Sequence, residues 1–292
     1  MSDLYAAIEA GGTKWICAIG DRQGTIIEEK VIPTSDPTTL MPQVAAVFDG
    51  LSKRHGSFES IGIGTFGPID INLTSPNYGA YVNTPKEGWS GFNLVKALRA
   101  ALSIDIDIYL DTDVNTAVYA EQVLGSGKGH QNVCYITVGT GIGGGVIMNG
   151  KILKGRMHPE IGHITVQESP DEPVPNFSVC PYHQVCVEGK ASGPAMAARW
   201  GEDPSAFPES AWSLEANYLA QLAVTLTACY SPDVMVFGGG VMKHRDLLPM
   251  IQSQFLELAG GYWNLPPVTD YIKLTSLNDR AGLIGALLLA PK

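Results

Sequence analysis

Two stretches of this sequence carry the same order of elements, and that repetition limits the possible fold more than any single residue does. Apolar segments at 4–8 and 15–19 flank the turn Gly11-Gly12 and predict a hairpin. A strand at 25–32, a helix at 39–54, a strand at 60–65, a helix at 93–102 and a strand at 104–110 follow. The second half reads the same way. Strands at 133–138 and 144–148 surround another glycine turn, and extended segments come next. A helix at 214–230, a strand at 234–237, a helix at 245–258, a strand at 271–274 and a closing helix at 280–289 complete the order. The expected class is α/β, with two similar domains facing each other across a ligand cleft. A helix starting at Asp113 is the natural crossing point, which gives domains at 1–112 and 113–278 and a closing segment 279–292 that packs back on the first.

Composition agrees with two packed cores. Of 292 residues 45% are hydrophobic and only 16% charged, with 33 Gly and 19 Pro, which excludes a disordered chain, a coiled coil and a short disulfide-stapled peptide. The net charge of −10 repels phosphodiester backbones, and the longest basic run is Lys53-Arg54, so no nucleic-acid partner is expected. The opening MSDLYAAIEAGG lacks a signal-peptide pattern, and the longest apolar run, 281–290, falls far short of a membrane span. A soluble cytoplasmic protein is expected. Three of the five cysteines, Cys17, Cys134 and Cys229, sit in apolar strand or helix patterns and predict buried thiols in a reducing compartment.

Three glycine-rich turns stand at strand ends. In the first, Gly11, Gly12, Thr13 and Lys14 combine close backbone approach, a hydroxyl and a cation, which suits a phosphate as well as it suits an ordinary hairpin. The second, Gly139-Thr140-Gly141-Ile142-Gly143-Gly144-Gly145, is followed by a strand and lacks the Lys-Ser/Thr ending of a P-loop, so neither the Walker nor the Rossmann pattern fits. The third, Gly238-Gly239-Gly240, lies between a strand and a helix, where backbone amides face a nucleotide readily. Two further stretches, 73–90 and 169–179, have no periodicity and are candidate substrate-facing loops.

Asp113 opens the crossing helix. A carboxylate held rigidly there suits removal of a hydroxyl proton, and it suits an N-cap equally. Cys180, His183 and Cys186 form C-x2-H-x2-C, with His158 and His163 upstream, and this soft donor set fits tetrahedral Zn2+. Spacing leaves open which histidine completes it. Glu160 and Glu188 flank this element; isolated glutamates are usually solvated surface residues, though a carboxylate can also accept from two adjacent hydroxyls at once. Trp89, Trp200, Trp212 and Trp263 read as core or interface residues, and His55, His130 and His244 as surface ones.

Together, EAGGTK (9–14), GTFGPID (64–70), DTDVNTA (111–117), TVGTGIGGGVIMNGK (137–151), HPEIGH (158–163) and FGGGV (237–241) resemble a sugar kinase of the ROK family, in the actin-like (ribonuclease H-like) superfamily. The resemblance covers essentially the whole chain and is strongest to the bacterial fructokinase branch. It implies two actin-like domains and ATP-dependent phosphorylation of a hexose, most simply D-fructose to D-fructose 6-phosphate. It implies that Glu9, Gly11, Gly12, Thr13, Lys14, Gly139, Thr140, Gly141, Gly238, Gly239 and Gly240 hold ATP with Mg2+, Glu9 standing where the family usually has Asp. Asp113 then becomes the catalytic base. Gly67, Pro68, Asn115, Glu160 and Glu188 become sugar contacts, and His163 joins Cys180, His183 and Cys186 around a structural Zn2+. A homodimer is implied by the family alone. The rival readings are another ROK kinase, acting on glucose, mannose or an N-acetylated sugar, and a non-catalytic sugar-binding regulator. A repressor of this family carries an N-terminal helix-turn-helix, for which a first strand at residue 4 leaves no room.

Overall fold

The structure is a computed structural model that describes residues 3–84 and 86–291. In chain order the elements are β1 (Tyr5–Ala10), β2 (Lys14–Gly20), β3 (Ile26–Pro33), α1 (Pro37–His55), β4 (Ser60–Thr65), α2 (Leu94–Ala101), β5 (Asp107–Thr112) and α3 (Asp113–Leu124). Next come β6 (Val133–Val138), β7 (Ile142–Met148), β8 (Lys151–Ile152), α4 (Val187–Ala191), α5 (Gly193–Trp200) and α6 (Glu209–Tyr230). Last are β9 (Val234–Gly238), α7 (Leu247–Ala259), α8 (Val268–Tyr271), β10 (Ile272–Leu274) and α9 (Ala281–Leu288).

The chain divides into two compact units. One comprises Met1–Ala120, Lys154–His158 and Arg280–Lys292, and the other Glu121–Leu153 and Pro159–Asp279. The sheet of the first runs β3-β2-β1-β4-β5, with β1, β2 and β3 antiparallel and β1, β4 and β5 parallel. The sheet of the second is β8-β7-β6-β9-β10 and pairs in the same sense at every position. Each is an antiparallel meander extended by parallel strands, so the repeated order in the sequence is a repeated topology.

Burial explains where each strand sits. The inner strands β1 and β4 are almost wholly buried and read as near-continuous small and apolar residues, whereas the edge strand β3 carries Glu28, Glu29 and Lys30. On one face of the first sheet, α9 packs against β1 and β4. It also comes so close to α3 that a Cβ on Gly285 would stand 1.8 Å from the Thr116 carbonyl oxygen. Only a glycine permits that approach, and through it α9 fixes the first turn of α3. On the other face, the irregular segment after β4 is held by a group of rings. Trp89 is fully buried at 5.6 Å from Trp15, 5.4 Å from Phe66, 5.1 Å from Tyr81 and 5.7 Å from Phe92.

The second unit differs most from the sequence expectation between residues 159 and 208, where extended chain was expected and two helices, α4 and α5, are found. Their period is hidden because two of their inward residues are charged. Lys190 is fully buried and its ammonium lies 2.6 Å from Glu168, while Arg199 makes a two-pronged contact with Glu172 at 2.8 Å on both sides. Tyr218 donates to Glu172 at 2.8 Å, and the Arg199 guanidinium stacks 4.0 Å over the Phe177 ring. Burial alone would raise the Glu172 carboxyl, but the hydrogen bonds from Arg199 and Tyr218 hold it below its ordinary value. The proline-rich loop 169–179 has no helix or strand, yet Ser169, Glu172, Phe177 and Val179 pin it to the helices beside it.

Other boundaries shift by a few residues: β5 begins at Asp107, β7 at Ile142 and α6 at Glu209. Cys17 and Cys134 are buried, with burial raising both thiols to about 12. Cys229 is exposed, contrary to expectation, because the buried face of the last turns of α6 runs through Leu226 and Thr227.

Candidate active site

In the first unit, Gly11 and Gly12 close the β1–β2 hairpin through Gly11 N–H donating to the Lys14 carbonyl at 3.0 Å. Thr34 braces the turn, its hydroxyl donating to the Gly11 carbonyl at 2.8 Å and its N–H to the Thr13 carbonyl at 3.0 Å, and the Lys86 ammonium donates to the Gly12 carbonyl. Gly12, Thr13 and Lys14 are exposed, so an amide-lined, cationic turn faces outward, with the half-buried Glu9 at the end of β1.

Asp113 is the first residue of α3, at the C-terminal end of the parallel strand β5. The cap at this helix start is Thr112, whose hydroxyl oxygen accepts from Asn115 N–H at 3.2 Å. Asp113 is thereby freed of that duty, and its carboxylate accepts from Val114 N–H at 2.9 Å and from its own backbone N–H. Burial raises the Asp113 carboxyl from 3.8 to about 6, with the Val114 N–H opposing the shift. A carboxylate tuned toward neutrality at a strand-to-helix junction suits proton removal. Close by, the Tyr81 phenol hydrogen-bonds the Thr65 hydroxyl at 2.5 Å, and burial, together with the Asp113 charge, raises its pKa.

Asn115 is fully buried, its amide donating to Asp111 at 2.6 Å. Gly67 and Pro68 sit after β4 across a cis peptide, and the Ile69 N–H donates to Nε2 of the buried His158 at 3.5 Å. The sequence separates these residues widely, but the first unit holds all of them.

In the second unit the other two glycine turns meet. Gly139 N–H donates to the Gly141 carbonyl at 2.9 Å, Gly193 N–H donates to the Gly139 carbonyl at 2.8 Å, and a Cβ on Gly139 would lie 4.0 Å from the Gly240 nitrogen. Gly239 has φ of 95° and a Cβ there would stand 2.3 Å from the Val138 carbonyl, so Gly238-Gly239-Gly240 turns back over the end of β6 as only glycine can. Thr140 lies exposed between them.

Beside Gly240 opens a cavity of about 700 Å3 whose wall includes Gly193, Met196, Phe207, Trp212, Val241 and His244. The Trp212 and His244 rings are stacked 3.8 Å apart and parallel to within 1°. His244 is therefore half of an aromatic wall rather than a surface residue. Nothing in local spacing announces the pair, because its two members lie on α6 and in the turn before α7.

His163, Cys180, His183 and Cys186 bring one ligand atom each to within 4.8 Å of one another. The Cys180 Sγ stands 4.0 Å from His163 Nδ1 and 3.7 Å from His183 Nδ1. Two thiols and two imidazoles at these separations fit a tetrahedral ion with bonds of about 2.0–2.3 Å. His158 is in the other unit, which leaves His163 as the fourth donor. Glu188, on α4 just after Cys186, accepts from Ile142 N–H at 2.9 Å and so ties α4 to the second glycine turn. Glu160 is exposed immediately before the one-turn 3-10 helix Ile161–His163.

Two copies of this sheet order, each with a glycine hairpin between its first strands, define the actin-like two-domain fold. A ROK-family glucokinase from Streptomyces griseus, solved with glucose and AMPPNP, superposes with a TM-score of 0.78 at 24% identity, over 98% of this chain and 99% of that one. The chain belongs to the ROK family, whose model matches residues 5–292. It is 40% identical to a fructokinase from Pediococcus pentosaceus over 98% of this chain and 97% of that protein. To a fructokinase from Zymomonas mobilis it is also 40% identical, over 98% and 96% of the two chains.

Proposed function

We propose that this protein is an ATP-dependent fructokinase that forms D-fructose 6-phosphate. The observation that carries the chemistry is Asp113, half-buried, its carboxyl raised by desolvation to about 6 and released from capping by Thr112. Fructose is chosen on the 40% identity to two fructokinases along nearly the whole chain.

Asp113 takes the proton of the 6-hydroxyl as that oxygen bonds to the γ-phosphorus of ATP, and the bond to the β-phosphate oxygen breaks to leave ADP. ATP enters as its Mg2+ complex, the ion being part of the substrate. Glu9, Gly11, Gly12, Thr13 and Lys14, with Gly139, Thr140 and Gly141, supply amides, hydroxyls and a cation toward the phosphates, and Glu9 its carboxylate toward the ion. Gly238, Gly239 and Gly240 form the turn whose last residue, Gly240, borders the cavity that takes the adenine, where the Trp212–His244 stack offers an aromatic face. Gly67, Pro68, Asn115, Glu160 and Glu188 orient the sugar, the carboxylates accepting from its hydroxyls.

Zn2+ held by His163, Cys180, His183 and Cys186 would fill all four of its positions with protein atoms and so serve structure alone. It would anchor the chain that leads from Glu160 to Glu188. The proposal includes a cytoplasmic homodimer, on the resemblance to the family. Among the described residues no helix is long and apolar enough to cross a membrane.

A coupled assay of ADP release over fructose, glucose, mannose and N-acetylated hexoses tests the reading. Fructose is expected to give the highest kcat/KM, and a clear preference for glucose would overturn the choice of sugar.

A further inference from the structure

Gly67 and Pro68 are half-buried, so a small molecule can reach them, and the chain that carries them is held from two sides. On one side the Pro68 carbonyl accepts from Val82 N–H at 2.9 Å, and Asp70 N–H donates to the Ala80 carbonyl at 2.9 Å. These bonds flank an antiparallel bridge between Ile69 and Tyr81. Successive residues of an antiparallel pair aim their amides at opposite edges, so the N–H of Ile69 faces away from the Tyr81 stretch. Ile69 is buried, and a buried N–H has to find an acceptor.

That acceptor is a side chain 89 residues further along the sequence: Nε2 of His158, 3.5 Å from the Ile69 nitrogen. The same ring lies against Gly67, where a Cβ would stand 3.1 Å from Cε1 and 3.2 Å from Nε2. One buried imidazole therefore touches the residue before Pro68 and the residue after it. His158 closes the short segment Lys154–His158, which belongs to the first unit although the chain on both sides of it belongs to the second. The sequence offered His158 as a metal donor, but the four donors that converge are His163, Cys180, His183 and Cys186.

The geometry points to His158 as a positioning residue for the sugar: by accepting from Ile69 N–H and packing on Gly67, it holds Gly67 and Pro68 where the substrate meets them. The inference rests on the reading that these two residues contact the sugar. His158 touches no reacting atom in this scheme and holds no metal.

The test is steady-state kinetics of the full chain with fructose and ATP varied in turn, for His158→Leu, His158→Asn, His158→Gln and Gly67→Ala, with zinc measured in each preparation. His158→Leu leaves the Ile69 N–H buried without an acceptor and is expected to raise the KM for fructose about fivefold or more, while the KM for ATP stays within about twofold. His158→Asn, polar but too short to reach, is expected to do the same, and it carries the test if His158→Leu does not fold. His158→Gln can bring an oxygen to where Nε2 stands and is expected to restore most of the loss. Zinc per chain is expected to match the wild type in all three His158 variants. Equal rises in both KM values, a Gln variant no better than the Asn one, or zinc lost with His158 overturns the inference. Gly67→Ala separates it from the reading beneath it. A fructose KM raised by Gly67→Ala but unchanged in the Leu and Asn variants overturns the role of His158 alone, whereas a KM unchanged in every variant removes Gly67 from the sugar site and the inference with it.

Discussion

At Asp113 two demands of physical chemistry pull apart. A base must be charged to accept a proton, yet burial disfavours the charge, and the compromise is a carboxyl near 6 rather than 3.8. Below that value the base is protonated, so kcat/KM for the sugar should fall as pH drops through about 6 and level off above it. A pH–rate profile flat down to about 4, the ordinary carboxyl range, would contradict the assignment. Asp113→Asn keeps the shape of the side chain and removes the base. Turnover is expected to fall about a hundredfold or more while fructose binding, measured by calorimetry, persists. Near-normal turnover in that variant would assign the proton to another group. Thr112 could not be seen as the cap from sequence, since Thr112 and Asp113 are both good capping residues and only the Thr112 hydroxyl, 3.2 Å from Asn115 N–H, decides between them.

Among the elements, the Cys/His cluster was visible as C-x2-H-x2-C; spacing left His158 and His163 open, the resemblance to the family implied His163, and the fold brings His163 to the cluster. Removing the ion should loosen the whole stretch between Glu160 and Glu188, because loop 169–179 leads directly into Cys180. Elemental analysis of protein purified without chelator is expected to find about one Zn2+ per chain, the stoichiometry of a four-donor site. Cys180→Ala should lower the thermal midpoint and raise amide exchange in that stretch, and full zinc-independent stability would remove the ion from the account. The helices α4 and α5 escaped sequence reading for a physical reason. Hydrophobic periodicity assumes that buried residues are apolar, and here Lys190 and Arg199 are buried against Glu168 and Glu172. The cavity beside Gly240 escaped it too, since Trp212 and His244 become neighbours only when α6 and the turn before α7 are packed.

For the molecule as a whole, the raised carboxyl of Asp113 has a thermodynamic consequence. The folded state raises the Asp113 carboxyl above the unfolded value of 3.8, so it holds a proton that the unfolded chain has already lost between about 4 and 6. The stability contributed by that group is fully present below 3.8 and disappears as pH rises through about 6. Asp113→Asn is therefore expected to stabilise the protein at pH 7 to 8, on the order of 2 kcal/mol, with the gain vanishing near pH 4. Chemical denaturation of both forms at the two pH values checks this, and equal stability at every pH would mean that burial does not strain the charge.

Local chemistry read along the chain was enough to establish the repeat, the three glycine turns, the aspartate at a strand end and the sulfur–imidazole set, because each is a matter of residue type at short spacing. Packing alone decided which glycine turns meet, which residue caps α3, and which way Asn115 points. Those outcomes depend on atoms that lie tens of residues apart in sequence and come within a few ångströms only after the backbone has folded, where burial and hydrogen-bond direction, not spacing, set the energy.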